Sequence, residues 1–445
     1  MTAELFAELE AVAAEAVHRA RVPGVALALA TGEQTRFAGF GATEAGPGGT
    51  PIDEHTLFRW CSVTKLATAE LIAGLGAEHP GLEDALVGDL QPDAPKTLLE
   101  GTTVRMLLDH TSGIEGEWPR SLAEFGDGPE ALERFVRAAG RLRRFAAPGA
   151  LFGYCNPGYW LLGAIASTLT GQDVERAMRE RLLDPWGLTG VRTESDGPGR
   201  GSRRHAVATG HVVQGGRPRA VVDAAMPRAR FASGGLWGSV TDAVRLGRAA
   251  LRMPERLRAI AASAVPADRD GRRQGRGWSI ELRERGVSFG HSGFYGGFAS
   301  QVQVFPSLDE PGEGAVLAVL GNADSAWAVR EAVLDAALQA FGGRALPEPS
   351  PSPVEAAEFA GRYGLSGMRE VVLAADGDGL RIDAIPFDGE AFRVRAERVG
   401  PNSFRAVDGP VPGQLVRLLD GGPGHRRCFR WGPRLGGQLA EGERE

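Results

Sequence analysis

The sequence predicts an α+β fold, with an antiparallel sheet flanked by helices and a helical subdomain, followed by a small antiparallel β-barrel domain. Strand patterns occur near the start of the chain and again shortly before residue 345, and helical patterns fill most of the region between them. This order is typical of one domain whose sheet is assembled from both ends of its sequence. A Pro/Ser-rich stretch then precedes a series of short alternating strands that continues to the end of the chain.

These observations predict a first domain at residues 1–345, a linker at 346–353 and a barrel domain at 354–445. In the first domain, strands are predicted at 24–30, 35–40, 301–305 and 315–320, and helices at 159–169 and 326–341. In the second domain, an Asp-Gly-Asp-Gly turn predicts a β-hairpin. The strands predicted there are 371–374, 380–385, 391–399, 403–407, 414–419 and 427–431.

The composition excludes several classes of function. The chain has 445 residues and a net charge of −6, without the basic face of a nucleic-acid-binding protein or the basic helix of a membrane-docking one. No apolar run is long enough to cross a bilayer, and the acidic N-terminus lacks the pattern of a signal peptide. Three cysteines imply no disulfide framework, so we expect a cytoplasmic protein. The best-spaced histidines, His205 and His211, have no evident partner and predict no metal site.

Ser62 and Lys65 form a Ser-x-x-Lys motif at the start of a predicted helix. The chain contains only two lysines, Lys65 and Lys96, among its 50 basic residues. Arginine cannot lose its proton near neutral pH, so a lysine that persists where arginine dominates is a candidate general base. The simpler interpretation is a helix-capping serine with an exposed lysine. Ser239-Val-Thr-Asp242 repeats the same tripeptide, ends in Asp and predicts only a helix cap.

Two further motifs carry polar side chains. Tyr154-Cys155-Asn156 precedes a predicted helix, and His291-Ser292-Gly293 precedes a predicted strand. Taken alone, Tyr154 is interpreted as a half-buried aromatic residue, Asn156 as a helix cap and His291 as a structural histidine.

Together, Ser-x-x-Lys, Tyr-x-Asn and His-x-Gly in this order resemble the motifs of the class C β-lactamase and penicillin-binding-protein superfamily of serine hydrolases. The resemblance extends to the segments 107–114, 183–188 and 233–236 and covers roughly residues 10–342. The C-terminal region resembles the lipocalin-like domain of some esterases, D-aminopeptidases and penicillin-binding-protein-type thioesterases.

The resemblance implies a role for each motif residue. Ser62 would attack a carbonyl carbon and form an acyl-enzyme. Lys65 and Tyr154 would share general-base and general-acid work, with the pKa of Tyr154 lowered by nearby cationic charge. Asn156 would hold a substrate amide, and the backbone N–H groups of Ser62 and Phe294 would form the oxyanion hole. No cofactor is implied.

In the third motif, His291 would be catalytic, and Ser292 and Gly293 would bind substrate. β-Lactamases carry a lysine where this chain has His291. Histidine supplies only a partial positive charge at neutral pH, so we expect little β-lactam hydrolysis.

The leading hypothesis is a serine acyl-enzyme catalyst that cleaves an ester, thioester or amide of a peptide-like small molecule, free or carried on a protein. Water or an amine would accept the acyl group, as in a hydrolase, a peptide-cyclising thioesterase or a transacylase. A plain esterase or D-aminopeptidase is an alternative, and a non-catalytic penicillin-recognition module is an alternative of another class. The sequence leaves the oligomeric state open.

The cysteines beside the motifs and the arginines of the last strands are two further groups of candidate side chains. Cys61 and Cys155 adjoin motif residues and are expected to be small buried side chains. Arginines of the final strands could hold a substrate carboxylate over the cleft, although such residues more often form a solvated barrel face. They are Arg426, Arg427, Arg430 and Arg434.

Overall fold

The computed structural model of the chain describes most of its length. The described residues are 2–193, 195–196, 205–221, 225–268, 271–307, 310, 312–346, 353–387, 390–410, 412–421 and 427–439. Residues 347–352, which make up most of the predicted linker, lie outside this set. The predicted domain boundaries therefore stay predictions.

The first domain is built on a large antiparallel sheet. The strands before residue 322 are β1 Gly24–Thr31, β2 Gln34–Gly41, β3 Phe58–Arg59, β4 Arg192–Thr193, β5 His211–Gln214, β6 Arg217–Ala220, β7 Leu236–Gly238, β8 Val265–Pro266, β9 Arg272–Gly275, β10 Trp278–Arg283, β11 Gly286–Tyr295, β12 Phe298–Pro306 and β13 Gly314–Gly321. Eight of them form one sheet in the order β2-β1-β13-β12-β11-β10-β9-β8. The pairing of β1 with β13 confirms that the sheet is assembled from both ends of the domain.

Helices cover both faces of this sheet. The helices of this region are α1 Thr2–Ala20, α2 Thr64–Glu78, α3 Val87–Leu90, α4 Lys96–Leu99, α5 Val104–Leu108, α6 Ala131–Ala138, α7 Asn156–Thr170, α8 Val174–Met178, α9 Phe231–Gly234, α10 Val240–Leu251, α11 Pro254–Ser263 and α12 Ala326–Gly342. Because helices lie on both sides, β1 is buried along almost its whole length and reads as a continuous apolar run. None of the described helices is long and apolar enough to span a lipid bilayer.

The two faces of the sheet carry separate hydrophobic cores. Helices α1 and α12 pack together on one face, and the larger core on the other face joins the sheet to α2, α5, α7, α9 and α10. Ser239 caps α10 in a capping box with Asp242, as its sequence predicts.

The C-terminal region folds as a closed antiparallel barrel of eight strands. These are β14 Gly361–Leu365, β15 Met368–Asp376, β16 Gly379–Pro386, β17 Phe392–Arg398, β18 Ser403–Ala406, β19 Leu415–Asp420, β20 Arg427–Trp431 and β21 Arg434–Gln438. The sequence analysis did not predict β14 or β21, whose pairing closes the barrel. Both contain glycine, which is depleted in strands and hides their pattern.

The barrel packs directly against the first domain. Arg430 of β20 is buried and donates hydrogen bonds of 2.6 Å to the carbonyl oxygen of Ala267 and 2.7 Å to that of Phe152. Phe145 of the first domain joins Leu435 of β21 in a small shared apolar cluster. The barrel is therefore fixed beside the segment that carries the Tyr-x-Asn motif.

Candidate active site

Ser62 lies in a short 3₁₀ turn, Cys61–Val63, that leads directly into α2. Its side chain is partly exposed, whereas its neighbours Cys61, Val63 and Lys65 are buried. Residues three apart in this turn share one face, and this spacing brings Lys65 Nζ to 3.2 Å from Ser62 Oγ. The structure thus places the predicted nucleophile at the protein surface, and the predicted base contacts it from the buried side.

The Lys65 amine is held by three oxygen atoms. Its Nζ lies 2.7 Å from Asn156 Oδ1 and 2.9 Å from the carbonyl oxygen of Ser233, in addition to Ser62 Oγ. Burial, and next the positive charge of Arg230, hold the pKa of Lys65 well below its usual range, although Glu117 raises it. Of these three oxygen atoms, only the Ser62 hydroxyl can donate a hydrogen bond. In a neutral amine, the two hydrogens would therefore bind Asn156 Oδ1 and the Ser233 carbonyl oxygen, and the lone pair would accept the hydrogen of the Ser62 hydroxyl.

Tyr154 reaches the same serine from another element. Its phenol is hydrogen-bonded to Ser62, and Lys65 Nζ lies 4.9 Å from the centre of its ring. Burial raises the pKa of Tyr154 above its ordinary value, and this effect outweighs the hydrogen bond with Ser62 and the charge of Arg230, which lower it. The expectation of a lowered pKa for this tyrosine was therefore wrong. Tyr154 is a neutral phenol that can pass a proton on, and it does not start as a phenolate.

Asn156 is the first residue of α7, and the cap of this helix is Cys155, whose sulfur accepts a hydrogen bond from the Gly158 N–H. The interpretation of Asn156 as the cap was wrong by one residue. Its Oδ1 accepts from Lys65, and its Nδ2 donates to Glu117 Oε1 at 2.5 Å. The second Nδ2 hydrogen is free of these two contacts and suits a substrate carbonyl.

His291 lies on β11 with its ring centre 6.1 Å from that of Tyr154. Burial and then the charge of Lys65 lower the pKa of His291 to about 3. The imidazole is therefore uncharged at neutral pH, which goes beyond the partial charge that we expected. Strand alternation places the side chains of Ser292 and Phe294 on the opposite face of β11, where the Phe294 ring contacts Trp327.

Gly293 allows β11 to approach the serine turn. A Cβ atom at this position would lie 2.5 Å from the Trp60 carbonyl oxygen and 2.7 Å from the Cys61 Cβ. Phe294 pairs with Ala299, one step from the two-residue loop that joins β11 to β12. The pair that closes a two-residue loop, here Tyr295 with Phe298, is hydrogen-bonded. The next pair, Phe294 with Ala299, therefore directs its N–H groups away from the partner strand. The Phe294 N–H thus points to the side of β11 on which β10 has already ended.

Charged side chains that were not predicted from the sequence surround the motif residues. Glu117 Oε2 lies 3.6 Å from an Arg230 nitrogen, and Glu117 Oε1 lies 3.8 Å from an Arg434 nitrogen. No motif contains Glu117 or Arg230, and no signal in the chain marks them. The barrel also contributes main chain, because the Tyr154 N–H donates to the Pro433 carbonyl oxygen at 2.9 Å.

The remaining candidates have simpler outcomes. Cys61 and Cys155 are buried as expected, and burial raises the pKa of each thiol to about 12, so neither suits a nucleophile at neutral pH. Among the final arginines, Arg426 lies outside the described residues and Arg427 contacts Glu358 at the surface. Arg430 and Arg434 differ from the expected solvated face, because one is buried and the other extends to Glu117.

His211 contacts ordinary protein groups. Its Nε2 accepts from the Ala45 N–H, and its Nδ1 lies 2.9 Å from the Asn322 carbonyl oxygen. Within the described ranges, no group of three or more histidine, cysteine or acidic side chains is placed to hold a metal ion.

This fold and this serine–lysine–tyrosine cluster define a β-lactamase-like serine hydrolase. A family model described as Beta-lactamase matches residues 9–340, and the chain belongs to this family.

Similar proteins match the chain over different lengths. Penicillin-binding protein 4 of Amycolatopsis lactamdurans is 29% identical over 78% of this chain and 94% of its own length. The crystal structure of SurE superposes with a TM-score of 0.76 at 27% identity, over 97% of this chain and 99% of SurE, and SurE has also been crystallised with D-Leu. A D-aminopeptidase of Brucella anthropi is 30% identical over 29% of this chain and 24% of its own length.

Proposed function

We propose that the protein is an acyl-enzyme catalyst in which Ser62 is the nucleophile and Lys65 is its general base. The observation that carries this proposal is the environment of the Lys65 amine. Asn156 Oδ1 and the Ser233 carbonyl oxygen accept two hydrogens of Nζ, which leaves the lone pair of the neutral amine directed at the serine hydroxyl, and the lowered pKa of Lys65 favours this neutral form. Tyr154 then protonates the leaving group and recovers its proton from the Lys65 ammonium, and the N–H groups of Ser62 and Phe294 bind the oxyanion.

We further propose that the acyl donor is a peptide-like ester, thioester or amide with a D-residue at the reacting carbonyl. The name of the D-aminopeptidase and the D-Leu complex of SurE support a D-residue. The uncharged His291 supports a donor without a carboxylate at the position that a β-lactam carboxylate would occupy.

The accepting group is either water or an amine, and the reaction up to the acyl-enzyme is the same for both. The test uses a peptide with a C-terminal D-Leu, joined to N-acetylcysteamine as a thioester. Three controls accompany it: the L-Leu epimer, the N-acetylated peptide and the variant Ser62→Ala.

We expect thiol release and an intact-mass adduct with the D-epimer, a slower reaction with the L-epimer, and neither with Ser62→Ala. A product lighter than the peptide acid by one water, absent for the N-acetylated peptide, would identify the amine as acceptor. An adduct that persists in Ser62→Ala would refute the proposal. No adduct on the wild-type protein, with this thioester or with a fluorophosphonate probe, would instead support the non-catalytic binding module.

A further inference from the structure

His110 lies directly beneath the Tyr-x-Asn segment, although none of the three motifs contains it. It follows α5, is fully buried and has a left-handed backbone with a φ of 57°. Few residues other than glycine adopt this conformation, although histidine does so more often than most, and contacts on both sides of His110 hold it in place.

Four consecutive backbone N–H groups of the segment are each held by a different acceptor. Gly153 donates to the His110 carbonyl oxygen at 2.8 Å, and Cys155 donates to His110 Nδ1 at 3.1 Å. The N–H groups of Tyr154 and Asn156 donate to the carbonyl oxygens of Pro433 and Gly116, at 2.9 Å each. His110 therefore supplies two of the four contacts that fix the main chain on both sides of Tyr154.

The imidazole ring also fixes the phenol. It lies between two tyrosine rings, with centre-to-centre distances of 4.5 Å to Tyr154 and 5.0 Å to Tyr159. Tyr159 is fully buried, and its hydroxyl donates to the Leu108 carbonyl oxygen at 3.0 Å. Tyr159 thus holds one face of the His110 ring in place, and the other face of His110 packs against the Tyr154 ring, whose phenol reaches Ser62.

The hydrogen bonds of His110 define its tautomer. Because Nδ1 accepts from the Cys155 N–H, the proton of the neutral ring is on Nε2. This Nε2–H is buried without a hydrogen-bond partner among the residues that the structure describes. A hydrocarbon ring would avoid the cost of burying this N–H without a hydrogen bond, so the advantage of an imidazole here is its Nδ1 acceptor.

We propose that His110 is a positioning residue, which as a neutral imidazole holds Tyr154 where its phenol can protonate the leaving group. This inference rests on the proposed function. Protonated His110 could not serve, because an Nδ1–H would oppose the Cys155 N–H. The groups that face the ring are Lys65, His291, Tyr154, Tyr159 and Cys155. Burial holds the pKa of His110 well below its usual range, and any positive charge on Lys65 or His291 would lower it further.

The test compares two substitutions in the full chain. His110→Phe keeps a ring and removes the acceptor, whereas His110→Asn removes the ring and keeps an acceptor at the position of Nδ1. Each variant is acylated with a p-nitrophenyl ester, whose leaving group needs no proton, and with the alkyl ester of the same acid, whose leaving group does. The single-turnover acylation rate and the half-saturating concentration are measured for both esters.

We expect His110→Phe to acylate about 100-fold more slowly with the alkyl ester and within about fivefold of wild type with the p-nitrophenyl ester. The half-saturating concentrations should change by less than about twofold, and His110→Asn should recover part of the alkyl-ester rate, because it restores the acceptor but not the ring. A smaller folded fraction would instead lower both rates by the same factor. If His110→Phe does not fold, His110→Gly, which also adopts positive φ, replaces it.

Equal losses with the two esters, or an Asn variant as impaired as the Phe variant, would overturn the role of His110. If the wild-type protein is acylated and His110→Phe reacts at the same rates, the role of His110 would also be overturned, and the proposed function would remain intact. A wild-type protein that forms no adduct at Ser62 would overturn the proposed function and this inference with it.

Discussion

The most direct prediction concerns the lone pair of Lys65. Lys65→Met keeps a flexible side chain of similar length and removes the amine, whereas Lys65→Arg keeps a positive charge but has no lone pair to accept a proton. If Lys65 is the base, both variants must lose acylation. If the lysine acts only as a cation, Lys65→Arg should remain active.

The expected loss follows from the contacts of Nζ. Removal of a positioned general base reduces a rate by about 10² to 10⁴, which corresponds to about 3–5 kcal/mol of activation free energy. Lys65→Arg carries a second cost, because the site is fully buried and the carboxylate that acts on it, Glu117, already contacts Arg230. We therefore expect Lys65→Arg to unfold at a lower temperature than Lys65→Met.

The assay is the p-nitrophenolate burst of a single turnover, with the adduct confirmed by intact mass and the folded fraction by circular dichroism. Wild-type acylation should rise with pH through the lowered pKa of Lys65 and then level off, because only the neutral amine accepts the proton. In Lys65→Ala, propylamine should restore part of the burst, and more at higher pH. The burst is measured because an amine could also accept the acyl group later.

Two outcomes would refute this reasoning. A folded Lys65→Arg variant that acylates within about tenfold of wild type would show that the lysine acts through its charge. A wild-type burst that falls as pH rises from acid to neutral would show that a protonated group is required instead.

Three further predictions concern charge and domain packing. Glu117→Gln should shift the acid limb of acylation to lower pH, and Arg230→Gln should shift it to higher pH, because these charges raise and lower the pKa of Lys65, respectively. His291→Lys should increase nitrocefin turnover, since it adds the cation that β-lactamases carry there. Arg430→Met should lower the free energy of unfolding by about 3 kcal/mol in denaturant titration, because two buried carbonyls lose a charged donor.

Each of these predictions has a matched control. Gln at position 117 removes the charge but keeps an acceptor for the Asn156 amide. If the acid limb moved in the same direction in the Glu117 and Arg230 variants, the electrostatic explanation would be excluded. Unchanged nitrocefin turnover in His291→Lys would mean that the shape of the pocket excludes β-lactams. Arg427, which pairs with Glu358 at the surface, is the control for Arg430, and an equal loss in Arg427→Met would contradict the packing argument.

The sequence predicted well where a local pattern determines the structure. Strand β20, Arg427–Trp431, was predicted at its observed bounds, and α12 within one residue. β21 was missed because its two central glycines carry no alternating pattern, yet the barrel closes through it. Its position is determined by pairing with β14, about seventy residues away, which no window of sequence contains.

The site shows the same division. Ser62 and Lys65 lie one helical turn apart, so their contact follows from spacing alone. Glu117 meets Asn156 and Arg230 only through the packing of separate elements, and Arg434 reaches it from the other domain. These side chains belong to no repeated spacing, and ordinary surface arginines and glutamates look the same in a sequence.

Burial shifts the pKa values of Lys65, Tyr154 and His291 in the directions that favour their uncharged forms. Tyr154 and His291 are uncharged at neutral pH, and burial favours the neutral form of the Lys65 amine, so the proton of Ser62 meets a base and not a second buried cation. The positive charge of Arg230 lowers the pKa of Lys65, and the carboxylate of Glu117 raises it. A permanent cation at position 291 would favour a phenolate at Tyr154 and would attract a substrate carboxylate. Under the proposed function, the histidine therefore favours substrates that bring no carboxylate to this position, and an ester, thioester or amide without such a carboxylate satisfies that condition.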